Sequence, residues 1–202
     1  MASSSKLIVI IGATGSQGGS VVDTFINAPG NWRVRALTRD ASSSKAQTLA
    51  AKSSKVEVVS ANMDDVDSLK SAFRDANVIF GVTDFWTLFG DQSNRSKVPD
   101  GQPFIEWAAH RETLQGKNIF EAAASVPGLE RLIYSTLANY KKWSGGKYSY
   151  ALHFDSKALA AEWAEEYLPE VWAKTSQIQV GMYLSNFSNL AMPFFIPKKV
   201  CY

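Results

Sequence analysis

A glycine-rich turn near the N-terminus constrains the fold more than any other feature of the chain. Lys6 to Ile11 is a short β-branched apolar stretch that runs directly into Gly12-Ala13-Thr14-Gly15-Ser16-Gln17-Gly18. Val21, Val22, Phe25 and Ile26 then recur at helical spacing. A strand, a G-x-x-G-x-x-G turn and a helix form the unit that cradles a pyrophosphate. Gly12 permits the tight turn, Gly15 lets backbone amides approach the phosphates, and Gly18 lets the helix pack closely on the strand. The helix start adds partial positive charge and free N–H donors.

The strand-helix step recurs along the chain. Arg33 to Thr38, Val56 to Ser60 and Val78 to Val82 read as strands, separated by helical stretches around Ala46 to Ala51 and Val66 to Phe73. Asp84 to Gln102 shows no sustained periodicity and reads as a long loop of the lid or binding type. A long helix follows, with Ile105, Ala108, Ala109, Ile119, Ala122, Ala123 and Val126 on one stripe. Strand Arg131 to Ser135, helix Ser156 to Tyr167 and strand Ser176 to Val180 complete the series. Strands joined by single helical crossovers stack into a parallel sheet, so the fold class is α/β, a Rossmann-type doubly wound parallel sheet with flanking helices. The expected organisation is a nucleotide-binding domain over 1–183 followed by a remnant of a C-terminal substrate or partner region over 184–202. Phe187, Leu190, Met192, Phe194, Phe195 and Ile196 are too apolar for a free tail. They predict self-association or dependence on a protein partner.

In such a sheet the crevice opens between the C-terminal ends of strands one and four, where strand order reverses. Val82-Thr83-Asp84-Phe85-Trp86 should therefore face the glycine turn. Gly116 interrupts the long helix at a cost of about 1 kcal/mol relative to alanine, which marks close approach of another backbone or a ligand. At the end of strand two, where NAD-selective proteins place an acid on the ribose 2′-hydroxyl, stands Arg39. A guanidinium makes bidentate bonds to a 2′-phosphate and stacks on adenine, so NADP(H) is the expected cofactor. Ser42, Ser43 and Lys45 add donors nearby, while Asp40 keeps an acid beside Arg39.

Charge and cysteine content narrow the function classes. Lysine plus arginine (21) nearly balance aspartate plus glutamate (19), which argues against direct binding of nucleic acid. Cys201, the single cysteine, leaves no internal disulfide and fits a reducing compartment. The run Leu7 to Ile11 is too short for a signal-peptide core or a membrane span, so the expected location is cytoplasmic with nuclear access open. No ligand pattern surrounds His110, and no metal is expected.

With these residues placed, the chain resembles the NmrA-like family, atypical members of the short-chain dehydrogenase superfamily that include regulators and NADP(H) sensors. The resemblance rests on the glycine turn through Gly19, on Arg35 to Asp40, Gly81 to Trp86, Gln115 to Asn118, His153 to Lys157 and Gly181 to Asn186. It implies cofactor contacts from Gly12, Thr14, Gly15, Ser16, Gln17, Gly18, Arg39, Asn62, Met63, Thr83, Asp84 and Lys157, and from Tyr183, Leu184, Ser185 and Asn186. Some relatives carry lysine where this chain has Leu114. Relatives also continue further and build much of the substrate cleft there, so the resemblance implies a C-terminally truncated form.

Short-chain dehydrogenases place a tyrosine four residues before a lysine; here the pair is His153 and Lys157. The helical spacing survives and the phenol is gone, with Tyr148 and Tyr150 off the required position. Ser135, at the end of strand five, occupies the place of the dehydrogenase serine. Two function classes follow. One is a regulatory module whose affinity for a protein partner depends on bound NADP(H). The other is an NADPH-dependent oxidoreductase for a carbonyl, quinone or enone, with imidazolium as acid and catalytic candidates Lys157, His153 and Ser135.

Overall fold

The apolar run before the glycine turn becomes β1 (Lys6–Ile10), buried from Leu7 onward and paired in parallel on both sides. Its neighbours are β2 (Trp32–Thr38) and β4 (Val78–Gly81), with Ile10 opposite Ala36 on one side and Phe80 on the other. Beyond them lie β3 (Val56–Ser60), β5 (Arg131–Thr136) and β6 (Thr175–Gln179), giving the order β3-β2-β1-β4-β5-β6 with every pairing parallel. This is the doubly wound sheet, and its order reverses between β1 and β4. The computed structural model describes residues 5–181 and Tyr183; the reading of 184–202 as a separate remnant, with its apolar cluster, lies outside the described residues.

Side chains of β1 alternate between two cores, as the two-residue period of a strand requires. Leu7, Val9 and Ile11 pack with residues of α3 (Val66–Ala72), α5 (Phe104–Ala124) and α7 (Leu152–Tyr167). Ile8 and Ile10 pack on the opposite face under α1 (Ser16–Asn27) and α2 (Ser44–Ala50), through Val22 and Leu49. A fully buried aliphatic side chain contributes about 1.5–3 kcal/mol, so the continuous apolar run of β1 anchors both layers.

The segment expected to be a loop is largely helical. Asp84 caps α4 (Phe85–Gly90) by accepting from the Thr87 amide at 3.1 Å, and Asp91 caps a 3-10 helix over Gln92–Lys97 by accepting from the Ser93 amide at 3.0 Å. Phe85 and Phe89 pack with Phe104 and Trp107 of α5 in a third, smaller core. Two short helices present no sustained period in sequence; tertiary packing and their aspartate caps hold them.

Three further expectations change. β4 ends at Gly81, one residue before Val82. The helix expected from Ser156 begins at Leu152 with Ala151 at its N-cap, so His153 lies in the first turn. The close approach at Gly116 is by side chains: a Cβ there would stand 2.5 Å from the Ala160 Cβ of α7 and 2.5 Å from the Tyr134 hydroxyl. The missing side chain lets α5 and α7 approach over small residues. Two short helices, α6 (Tyr140–Trp143) and α8 (Pro169–Trp172), flank α7.

Candidate functional site

The glycine turn is built as its chemistry demands. Gly12 has φ +65°, in the region that favours glycine, and the Gly15 amide donates to its carbonyl at 2.9 Å. A Cβ on Gly18 would fall against the Gly12 carbonyl and 2.8 Å from the Ala13 nitrogen. The turn is tied to its neighbours by Ile11 N–H donating to Phe80 O (2.9 Å) and Ala13 N–H to Leu37 O (3.3 Å). The Gly19 amide donates back to the Gly15 carbonyl, so the first-turn amides of α1 ahead of it have no intrahelical acceptor. With the helix dipole they form an anion site.

A cleft of about 740 Å³ opens above this turn, in the size range of a small-molecule site. Gly12, Thr14, Gly15, Ser16, Gln17 and Gly18 form its floor. Arg39 from the end of β2 and Met63 after β3 line one half. Thr83 and Asp84 after β4, Ser135 at the end of β5, and His153 and Lys157 of α7 line the other. Tyr183 also lines the cleft, and its hydroxyl accepts from Gln17 Nε2 at 2.7 Å. Asn62 is not among the lining residues: its side-chain oxygen accepts from the Asp64 amide at 3.0 Å and shapes the turn after β3. Leu184, Ser185 and Asn186 lie outside the described residues.

Arg39 and Asp40 part company despite being adjacent. Arg39 is exposed and lines the cleft, whereas the Asp40 carboxylate accepts from the Ser42 amide (2.8 Å) and hydroxyl (2.6 Å). Those two bonds hold the Asp40 carboxyl below its ordinary range. One oxygen of the acid, Asp40 Oδ1, is taken by the turn before α2, while Arg39 lines the cleft.

Lys157 sits in a closed polar network that the sequence reading missed. Its ammonium donates to the Thr83 carbonyl (2.7 Å), the Thr83 hydroxyl (3.0 Å) and the Glu112 carboxylate. Glu112 is fully buried on α5; it also accepts from Thr83 Oγ1 at 2.8 Å and from the Ser156 hydroxyl. A sequence signal for it exists. Glu112 falls on the apolar stripe between Ala108 and Ile119, and a charge on a buried helix face needs a partner.

His153 is half-buried among rings, with centroids 5.0 Å from Trp86, 5.8 Å from Phe85 and 4.5 Å from Phe154. Burial pushes its imidazole below the ordinary value; Lys157 adds to this while Glu112 and Asp155 oppose it. Asp84 lines the cleft with its carboxylate engaged by the Thr87 amide and by the Thr87 hydroxyl at 2.5 Å. Among the described residues no helix is long and apolar enough to cross a membrane, and no group of three or more His, Cys, Asp or Glu residues could hold a metal ion.

A doubly wound sheet with a glycine turn and an anion-binding helix start at its switch point defines a dinucleotide-binding architecture. The chain belongs to the NmrA-like family, whose model matches residues 4–199. It is 30% identical over 187 residues to the NmrA-like family domain-containing oxidoreductase ptmS of Penicillium ochrochloron, covering 93% of this chain and 50% of that protein. It is 27% identical over 187 residues to the NmrA-like family domain-containing oxidoreductase cpsB of Aspergillus campestris, covering 92% of this chain and 49% of that protein. The chain thus spans about half the length of these curated relatives. Among solved structures, the negative transcriptional regulator Nmra in complex with NAD superposes with a TM-score of 0.66 at 20% identity, over 91% of this chain and 48% of that one. The NADPH-dependent quinone oxidoreductase QOR2 of Escherichia coli superposes with a TM-score of 0.58 at 21% identity, over 90% of this chain and 51% of that one. These likenesses establish the fold.

Proposed function

We propose that the chain binds NADP(H) across the β1/β4 switch point and acts as a cofactor-responsive module whose occupancy is read by a protein partner. The observation that carries this reading is the state of the position where a dehydrogenase keeps its acid. His153 stands in place of the tyrosine and is packed among aromatic rings, and the three donors of Lys157 are all engaged by the chain itself. The glycine turn, Arg39, Met63, Thr83 and Asp84 of the expected cofactor set line one cleft, while the tyrosine of the dehydrogenase pair is replaced by His153. The glycine turn and the start of α1 would hold the pyrophosphate, Arg39 the adenosine 2′-phosphate, and Thr83 with the end of α7 would face the nicotinamide half. The divergence of Arg39 and Asp40 supports NADP over NAD.

A second reading, NADPH-dependent reduction of a small carbonyl, quinone or enone, is favoured by the oxidoreductase names of the curated relatives. One experiment separates the two: affinity for NADPH, NADP+, NADH and NAD+, with NADPH oxidation followed across a carbonyl, quinone and enone panel. The module reading expects saturable binding with turnover at background. Substrate-dependent oxidation that disappears in His153→Ala would establish the second.

A further inference from the structure

We propose that Glu112 is a positioning residue that commits Lys157 to the end of β4 and cancels its charge, leaving no unpaired cation among the described residues that line the nicotinamide half of the cleft. This rests on the dinucleotide reading of the site. The lysine lines the cleft with its side chain 13% exposed, while Glu112 beneath it is fully buried. An ammonium has three N–H donors, and the Thr83 carbonyl, the Thr83 hydroxyl and Glu112 take one each. Glu112 is satisfied in turn by Thr83 and Ser156 hydroxyls. Such a network fixes both members, because removing either partner would leave a buried charge uncompensated.

The consequence for the ligand is electrostatic. Arg39 places the adenosine end near β2, so the remaining half of a dinucleotide extends over Thr83 and Lys157. The nicotinamide ring is positively charged when oxidised and neutral when reduced. An unpaired lysine there would penalise the oxidised form alone, and the Glu112 carboxylate removes that penalty. Glu112 therefore acts on which redox form is accepted without touching the cofactor.

The test measures NADP+ and NADPH affinities by titration calorimetry for the wild type, Glu112→Gln, and the double variant Glu112→Gln/Lys157→Met. Circular dichroism checks the fold of each. Glutamine keeps the shape and an acceptor oxygen but removes the charge. In Glu112→Gln the affinity ratio should move about tenfold toward NADPH, the size of a like-charge contact in a partly solvated site. The double variant, which removes both charges, should return to the wild-type ratio. A purely structural role for Glu112 would weaken both forms alike and leave the ratio in place. A folded Glu112→Gln with unchanged ratio would overturn the proposal, as would a double variant that keeps the shift. Should Glu112→Gln alone fail to fold, the double variant and the wild type decide: a wild type binding NADPH more than about tenfold tighter than NADP+ contradicts a cancelled cation. A wild type that binds neither form would overturn the dinucleotide site itself.

Discussion

Gly18 and Gly12 are in contact across the turn, with the Gly18 α-carbon so close to the Gly12 carbonyl that no side chain fits between them. The obstacle is backbone, which cannot rotate away as a side chain would. Gly18→Ala should therefore destabilise the protein by about 3 kcal/mol, at the upper end of overpacking costs, and should open the anion site. Denaturant unfolding with NADPH titration checks both. Wild-type stability in the variant would mean the turn is looser than described.

Gly116 presents the same logic between helices. Alanine is the better helix former by about 1 kcal/mol, yet its Cβ would meet Ala160 and Tyr134 at 2.5 Å. Packing should win, with Gly116→Ala destabilising by about 1–3 kcal/mol. Gly116→Ala/Ala160→Gly should recover part of that loss, because one of the two obstructing groups is gone. Thermal melts of the single and double variants measure the recovery.

Arg39→Ala should weaken NADP(H) by about tenfold to a hundredfold, the worth of a charge-assisted bond to phosphate, and leave NAD(H) nearly unchanged. The dinucleotide titrations read this directly. Equal binding of NAD+ and NADP+ by the wild type would refute the assignment. Asp40→Ala tests the other half of the argument and should not change the ratio, since that carboxylate serves Ser42.

His153 should make stability depend on pH in the acid range. Its folded pKa lies below its unfolded one, near 6.5, because burial disfavours the charged ring. The folded state then binds fewer protons than the unfolded, so this contribution is complete above the unfolded value and is lost as pH falls through the folded one. His153→Gln should flatten the stability profile below pH of about 6.5. If His153 served as a general acid instead, NADPH oxidation would rise toward low pH and vanish in the variant.

How much of this was legible in the sequence varies with the kind of force involved. The strands and the glycine turn were readable because each is a local pattern with a local cause. Continuous β-branched runs make buried parallel strands, and glycine spacing answers to backbone geometry that no other residue satisfies. The helices at Asp84 to Lys97 were not, because they are too short to show a period. What makes them stable is contact between Phe85, Phe89, Phe104 and Trp107, which only the folded chain brings together.

The sequence by itself determined the sheet, the position of its crevice, and the glycine turn from Gly12 to Gly18 and Arg39 that line it. Tertiary structure decided the electrostatics. Lys157 is a cleft lysine in sequence, but whether its charge is free depends on Glu112, forty-five positions away on another helix. His153 keeps its helical spacing to Lys157, but its protonation depends on Trp86, Phe85 and Phe154 closing around it. Burial and pairing set the charge of an ionisable group, and both are properties of side chains brought together by the fold, which no local run of residues specifies.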